Sequence, residues 1–235
     1  MNEEYKTPDL PENVPVPEDQ EMPEKKPAEG FWRSVFSGYA DFVTYFIRKH
    51  LLWTAVVILF FTAGMLAGYE MSASDPEISQ TIMEGMAEKL DGISSEDPGS
   101  LFVFLIINNA SVAFASVILG IIPVIAPVFI SFFNGFAVGA VVEMISEGRG
   151  IAFILAGLLP HGIFELSAVF LACAAGLRLG LSPVILLYEE RFSFSAWKDE
   201  LKEAVAAFIL IILPMLLIAA FIEAFVTPSI MDMFA

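Results

Sequence analysis

The feature that constrains this chain most is a run of forty-five residues, 98–142, without a single ionisable side chain. As one straight α-helix this run would be about 67 Å long, roughly twice the thickness of a bilayer core. It must therefore cross a membrane twice. Pro123 and Pro127, near its centre, lack backbone donors and disfavour a continuous helix, so the turn is expected at residues 120–127.

Three further apolar runs have the length of a membrane span. Together with the paired crossings they predict an all-α fold, a polytopic bundle of five transmembrane helices. The five spans, numbered in chain order, are expected at about 51–69, 99–121, 124–145, 151–177 and 204–223.

Composition supports a membrane environment. Hydrophobic residues make up 57% of the chain and the mean hydropathy is +0.71, which is more apolar surface than a soluble core can bury. The net charge of −16, with no basic stripe, excludes nucleic acid as a partner because phosphates would be repelled. The lipid bilayer is the expected partner.

The amino-terminal part has a different composition. Residues 1–30 contain six prolines and nine acidic residues, so we expect a disordered cytoplasmic tail. Residues 31–47 carry apolar side chains at helical spacing and are followed by Arg48 and Lys49, a pattern typical of an amphipathic interfacial helix. Residues 31–235 are expected to form one transmembrane domain.

Lysine and arginine predict the orientation, because acidic residues contribute little to topology. Six of the twelve precede span one and four lie between spans four and five, whereas Lys89 and Arg149 fall on the other side. We expect a multi-pass protein of the cell membrane with a cytoplasmic amino terminus. Its carboxyl terminus and the acidic segment 70–98 are then extracytoplasmic.

Span four carries Pro160, His161 and Glu165 where lipid normally excludes polar groups. His161 lies roughly 15 Å from the start of the span, and the spacing of four places it on one helix face with Glu165. Pro160 also frees the carbonyl of Ala156. One interpretation is structural, with these groups satisfying each other; the other is proton, ion or ligand binding.

Asn108, Asn109 and Asn134 lie on spans two and three and complete the candidate intramembrane polar site. Asparagine amides commonly form hydrogen bonds between membrane helices, so the packing interpretation is favoured for them.

Three glycine pairs have the small-residue spacing that lets membrane helices approach closely, namely Gly64 with Gly68, Gly135 with Gly139, and Gly176 with Gly180. We expect them to pack helices within the bundle, and the same spacing leaves a homo-oligomer open.

The sequence contains no glycine-rich phosphate loop, no nucleophile elbow and no histidine pair at zinc-ligand spacing. We therefore expect a protein that is not an enzyme, with no catalytic residues, no metal site and no cofactor.

Three segments, 133–135, 159–166 and 174–180, resemble the stage II sporulation protein M family. They read Phe-Asn-Gly, Leu-Pro-His-Gly-Ile-Phe-Glu-Leu and Ala-Ala-Gly-Leu-Arg-Leu-Gly. The resemblance implies a multi-spanning membrane protein, named for bacterial members of a complex that remodels peptidoglycan during forespore engulfment. In that complex the hydrolase is a different protein, and the family member holds partners together.

Two functions follow. The leading hypothesis is a non-enzymatic membrane scaffold for a multiprotein complex, with membrane or extracytoplasmic proteins as partners. The alternative is a transporter or channel subunit in which His161, Glu165 and Asn134 line a polar site between helices.

Overall fold

A computed structural model describes residues 28–90, 97–121, 125–146 and 150–234. The expected tail lies outside these ranges except for its last three residues, where the first helix begins. All regular secondary structure in the described ranges is helical. The helices are α1 (Ala28–Ser74), α2 (Pro76–Leu90), α3 (Pro98–Leu119), α4 (Ala126–Ser146), α5 (Ile151–Tyr188), α6 (Phe194–Ala207), α7 (Leu213–Phe221) and α8 (Thr227–Met231).

The last three helices form one continuous rod, which we call the last helix. Two π-helical turns, Phe208–Ile212 and Ile222–Val226, join its α-helical parts. Each π turn ends two residues before a proline, Pro214 and Pro228. A proline has no amide hydrogen and its ring crowds the preceding turn, which explains why the helix widens at these two places.

Among the described residues, five helices are long and apolar enough to cross a membrane, which confirms the all-α polytopic bundle. They are Arg33–Ser74, Pro98–Leu119, Ala126–Ser146, Ala152–Tyr188 and Phe194–Met231. Large apolar side chains remain exposed on their outer faces, for example Leu59, Ile107 and Phe133. Lipid is the medium that solvates such a surface.

Several helices run beyond the apolar intervals that predict them. Residues of the expected interfacial helix and of span one are consecutive parts of α1, and α5 continues to Tyr188 through Pro183. The connection between spans four and five is therefore residues 189–193 rather than 178–203. Hydropathy marks only the length that lies in lipid, whereas capping groups set the helix ends.

The ends of this short connection show such capping. Glu190 has a positive φ of 56°, and the Arg191 amide donates a hydrogen bond to the Leu186 carbonyl at 2.9 Å, which terminates α5. Ser193 then accepts a hydrogen bond from the Ala196 amide at 3.0 Å and starts the last helix.

The described chain divides between Ala40 and Asp41 into two compact units, and the membrane core belongs to the second. Within it α5 is central, because more than half of its apolar window is buried, compared with a third or less for the other spans. Small side chains make this possible. Ala168, Ala172 and Ala175 of α5 are fully buried against Ala207 and Ile212 of the last helix.

Helices α1 and α4 contact each other directly through their backbones. Gly64 and Gly68 on α1 face α4, while Gly135 and Gly139 on α4 face α1. A Cβ atom at any of the four would overlap a backbone carbonyl oxygen of the opposite helix. The hydroxyl of Ser131 adds a hydrogen bond to an α1 carbonyl at 2.9 Å.

A second close approach joins α3 and α5, where Gly120 faces the backbone of Gly176 and Gly176 faces the carbonyl of Ser116. Gly180 is half-buried one turn further along α5. These contacts close the bundle at the end away from α2.

Candidate functional site

A cavity of about 460 Å³ lies between α2, α3, α4, α5 and the last helix. Its wall uses the first half of α3 and α5, the second half of α4 and the final part of the last helix, which are the ends on the side of α2. Most of the wall is apolar. Its polar side chains are Lys89, Asn108, Asn109, Asn134, His161, Glu165 and Glu223.

Three potential ligand groups converge in this wall. His161 and Glu165, one turn apart on α5, meet Glu223 of the last helix, and one ligand atom from each lies within 4.8 Å of the others. All three residues are half-buried. The convergence joins two separate membrane helices at one point.

Glu223 is placed there by an unusual piece of backbone. It lies in the π-helical turn Ile222–Val226, where the hydroxyl of Thr227 donates a hydrogen bond to the Ile222 carbonyl at 3.2 Å. A π turn adds one residue to the helical turn and so changes the direction in which neighbouring side chains project. Such turns are rare and occur frequently at functional sites.

His161 is incompletely satisfied. Its Nδ1 atom is buried and has no hydrogen-bond partner. Among the described residues, no hydrogen bond or ion pair joins His161 to Glu165. The structure therefore does not show the mutual satisfaction that the structural interpretation of the sequence requires.

The three asparagines also make no bonds between helices in the described part of the chain. Asn108 donates to the side-chain oxygen of Asn109 at 3.1 Å, and Asn134 donates to the carbonyl of Ile130 at 2.7 Å. Each bond stays within one helix. Among the described residues, the amide oxygens of Asn108 and Asn134 accept no hydrogen bond, and both side chains line the cavity.

The electrostatic balance of the cluster is unfavourable without a cation. When both carboxyl groups are ionised, two charges no more than 4.8 Å apart repel by at least about 3.5 kcal/mol at an effective dielectric constant of about 20. Lys89 is the only lysine or arginine among the described lining residues, and it forms no ion pair with Glu165 or Glu223. A bound proton or metal cation would remove the repulsion.

A second charged cluster lies at the opposite end of the bundle. Lys49 of α1 contacts Glu200 at 2.9 Å and Glu203 at 2.6 Å, and Arg178 of α5 contacts Glu200 at 3.2 Å. All four side chains are mostly buried. The two positive and two negative charges cancel, so this cluster is suited to tying α1, α5 and the last helix together.

The structure brings together five of the six polar-site residues singled out in the sequence. His161, Glu165 and the three asparagines line one cavity, whereas Pro160 lies half-buried within α5 and outside the lining. Sequence reasoning placed Glu223 at the end of span five and missed it as a site residue. The sequence feature that could have identified Glu223 is its position as an acidic residue shortly before Pro228.

In the described part of the chain, five apolar helices enclose a cavity that several polar side chains line, which defines a polytopic membrane protein. The chain belongs to the Stage II sporulation protein M family, whose model matches residues 56–228, and this confirms the resemblance carried by the sequence segments. The matched region includes every residue of the three-ligand cluster.

A relative is similar to part of the chain. An uncharacterised protein of Methanocaldococcus jannaschii is 35% identical over 134 residues, which cover 55% of this chain and 72% of that protein. No solved structure matches the chain.

Proposed function

We propose that this protein is a membrane transporter or channel subunit for a small cation, with His161, Glu165 and Glu223 as the binding site. The convergence of Glu223 with the α5 pair in a cavity wall carries the proposal. Ionisable groups inside a membrane are costly, and in known membrane proteins they often mark ion or proton pathways. In many transporters, coupling ions are also bound where a membrane helix departs from regular α-helical geometry.

The depth of the cavity favours alternating access over an open pore. Along α5 the lining extends no further than Leu166. Beyond it Ala168, Ala172 and Cys173 are fully buried, and α3 meets α5 at Gly176. A cation that enters from the α2 side therefore reaches the cluster and stops until helices separate.

The distribution of lysine and arginine supports an extracytoplasmic cavity mouth. Six lysines and arginines of the described membrane core lie towards the end of the bundle opposite α2, namely Arg48, Lys49, Arg178, Arg191, Lys198 and Lys202. In this orientation the amino terminus is cytoplasmic and the carboxyl terminus is outside.

Purified protein in proteoliposomes tests the proposal. Cation and proton fluxes are measured for the unmodified protein, Glu165→Gln, Glu223→Gln and the control Glu84→Gln, which changes an exposed α2 residue. We expect flux to fall at least tenfold in the first two variants and to persist in the control. The absence of flux for protons, alkali metals and divalent metals under imposed gradients would contradict the proposal.

A scaffold is the second candidate, and the exposure of α2 favours it. All residues from Glu84 to Leu90 are exposed, and Glu88 adds to an acidic surface between spans one and two. This surface would hold a membrane or extracytoplasmic protein, and neither candidate function requires catalysis by the chain.

The scaffold proposal is tested by purification from native membranes after mild crosslinking. We expect a stoichiometric partner with the unmodified protein and its loss in Glu84→Lys/Glu88→Lys. Recovery of the protein alone, or a partner that the double variant retains, would argue against this surface as a scaffold.

A further inference from the structure

We propose that His161, Glu165 and Glu223 bind one divalent transition-metal ion, of the zinc, manganese or iron class. This inference rests on the proposed function, because it names the cation that the site takes.

The donor set selects the metal class. Magnesium and calcium prefer sites made of oxygen ligands alone, and alkali ions are commonly held by carbonyl oxygens. One imidazole nitrogen with two carboxylate oxygens instead suits zinc, manganese and ferrous iron. His161 therefore makes the site specific for the transition metals.

The spacing needs only a small adjustment. Metal–nitrogen and metal–oxygen bonds of about 2.0–2.2 Å place two ligand atoms of a tetrahedral ion roughly 3.4 Å apart. The ligand atoms of the cluster already lie within 4.8 Å of one another. The remaining difference, at most about 1.4 Å, is of the size that rotation about the side-chain bonds of two glutamates can close.

Charge balance favours a divalent ion over a monovalent one. A divalent ion with two carboxylates and a neutral imidazole gives a neutral cluster, whereas a single proton or alkali ion leaves one negative charge in a poorly solvated cavity. Lys89 of α2 is the other charged group among the described lining residues, and no ion pair connects it to the cluster.

The buried Nδ1 atom of His161 is a separate observation that points to a ligand. It has no hydrogen-bond partner, although buried imidazole nitrogens are normally bonded. A metal bond to one ring nitrogen, with water on the other, would satisfy the side chain. Three protein ligands leave a coordination position open for water, as expected for an exchangeable ion rather than a permanent structural one.

Metal binding is measured on the tag-free, detergent-solubilised full chain after treatment with a chelator. Co²⁺ alone is titrated and followed by its visible absorption, with Mg²⁺ and Ca²⁺ as competitors. We expect one Co²⁺ per chain, displaced by Zn²⁺ and not by a hundredfold excess of Mg²⁺. Glu165→Gln, Glu223→Gln and His161→Gln should each weaken binding at least tenfold, and Asp41→Asn, at an exposed position of α1, should not.

X-ray absorption of the zinc-loaded unmodified protein keeps the inference testable if a variant fails to fold. We expect one imidazole, oxygen ligands and no sulfur. No stoichiometric binding, a sulfur ligand, or affinity unchanged in all three folded site variants would overturn the inference.

The two proposals fail separately. Metal binding without flux in proteoliposomes would remove the transport proposal and support the metal site. Proton or alkali flux that depends on Glu165 and Glu223, with no metal bound, would overturn the metal site and support transport.

Discussion

Glu165 of α5 and Glu223 of the last helix hold carboxylate oxygens within 4.8 Å of each other inside a membrane bundle. Since α5 is the central helix, this pair couples the core of the bundle to its final span. The charge of the pair has consequences for stability as well as for binding.

The first prediction concerns Glu223→Gln. In the presence of a chelator, this substitution removes one of two like charges and should raise the free energy of unfolding by up to about 3 kcal/mol. With zinc at about one hundred times its dissociation constant, the unmodified protein should gain about 2.7 kcal/mol and the variant much less. Cys173, the single cysteine and fully buried, allows unfolding to be followed with a thiol-reactive dye.

Glu84→Gln is the control for this measurement and should unfold like the unmodified protein under both conditions. An equal gain from zinc in Glu223→Gln would place the metal elsewhere.

The second prediction concerns the contact between α1 and α4. Gly139→Ala should destabilise the protein by about 1–3 kcal/mol, because the added Cβ meets a backbone carbonyl that cannot rotate away. Gly85→Ala in α2 is the matched control, since nothing lies within 4 Å of its Cβ position. Its effect should be neutral or stabilising by up to about 1 kcal/mol. Equal losses in the dye assay would contradict the backbone contact.

The third prediction concerns the buried ionic cluster. Lys49→Met leaves Glu203 uncompensated and should cost about 3–5 kcal/mol. The double variant Lys49→Met/Glu203→Leu should lose less than the sum of the single changes, because the second change removes the unpaired charge. Strict additivity in the unfolding free energies would argue against a coupled pair.

An exposed ion pair provides the control for the cluster. Lys202 and Asp199 contact each other at 2.8 Å, but both side chains are mostly exposed. Lys202→Met should therefore cost less than about 1 kcal/mol.

The fourth prediction concerns pH. The hydroxyl of Ser100 and the amide of Gly99 donate hydrogen bonds to Asp97, and they lower the pKa of this helix-capping carboxyl. A lowered folded pKa stabilises the protein above the usual aspartate pKa, and this stability is lost as pH falls through the folded value. The unmodified protein should be more stable to unfolding than Asp97→Asn at pH 7, and this difference should disappear in acid. Tryptophan fluorescence during unfolding measures it. A difference in stability that grows as the pH falls would contradict a lowered pKa of Asp97.

The fifth prediction concerns orientation. In a Cys173→Ser background, a membrane-impermeant maleimide added to intact cells should label Glu84→Cys in α2 and not Asp199→Cys in α6. Both positions are exposed in the structure, so accessibility alone does not distinguish them. Labelling of Asp199→Cys alone would show that the topology is the reverse of the proposed one.

The sequence by itself determined the number of membrane helices and the one-turn relation between His161 and Glu165. Both depend on local properties, since apolar length sets a crossing and helical periodicity sets a face. The sequence also showed the glycine pairs on α4 and α5, but it did not show which helix backbones these glycines contact.

Only the tertiary structure decided what stands opposite these residues. Glu223 joins His161 and Glu165 because a π turn and the packing of the last helix on α5 bring it there, and Lys49 reaches Glu203 across the bundle in the same way. Contacts between distant parts of a chain depend on how helices rotate and pack against one another. That rotation follows from the sum of many side-chain contacts, so no single sequence segment reveals it.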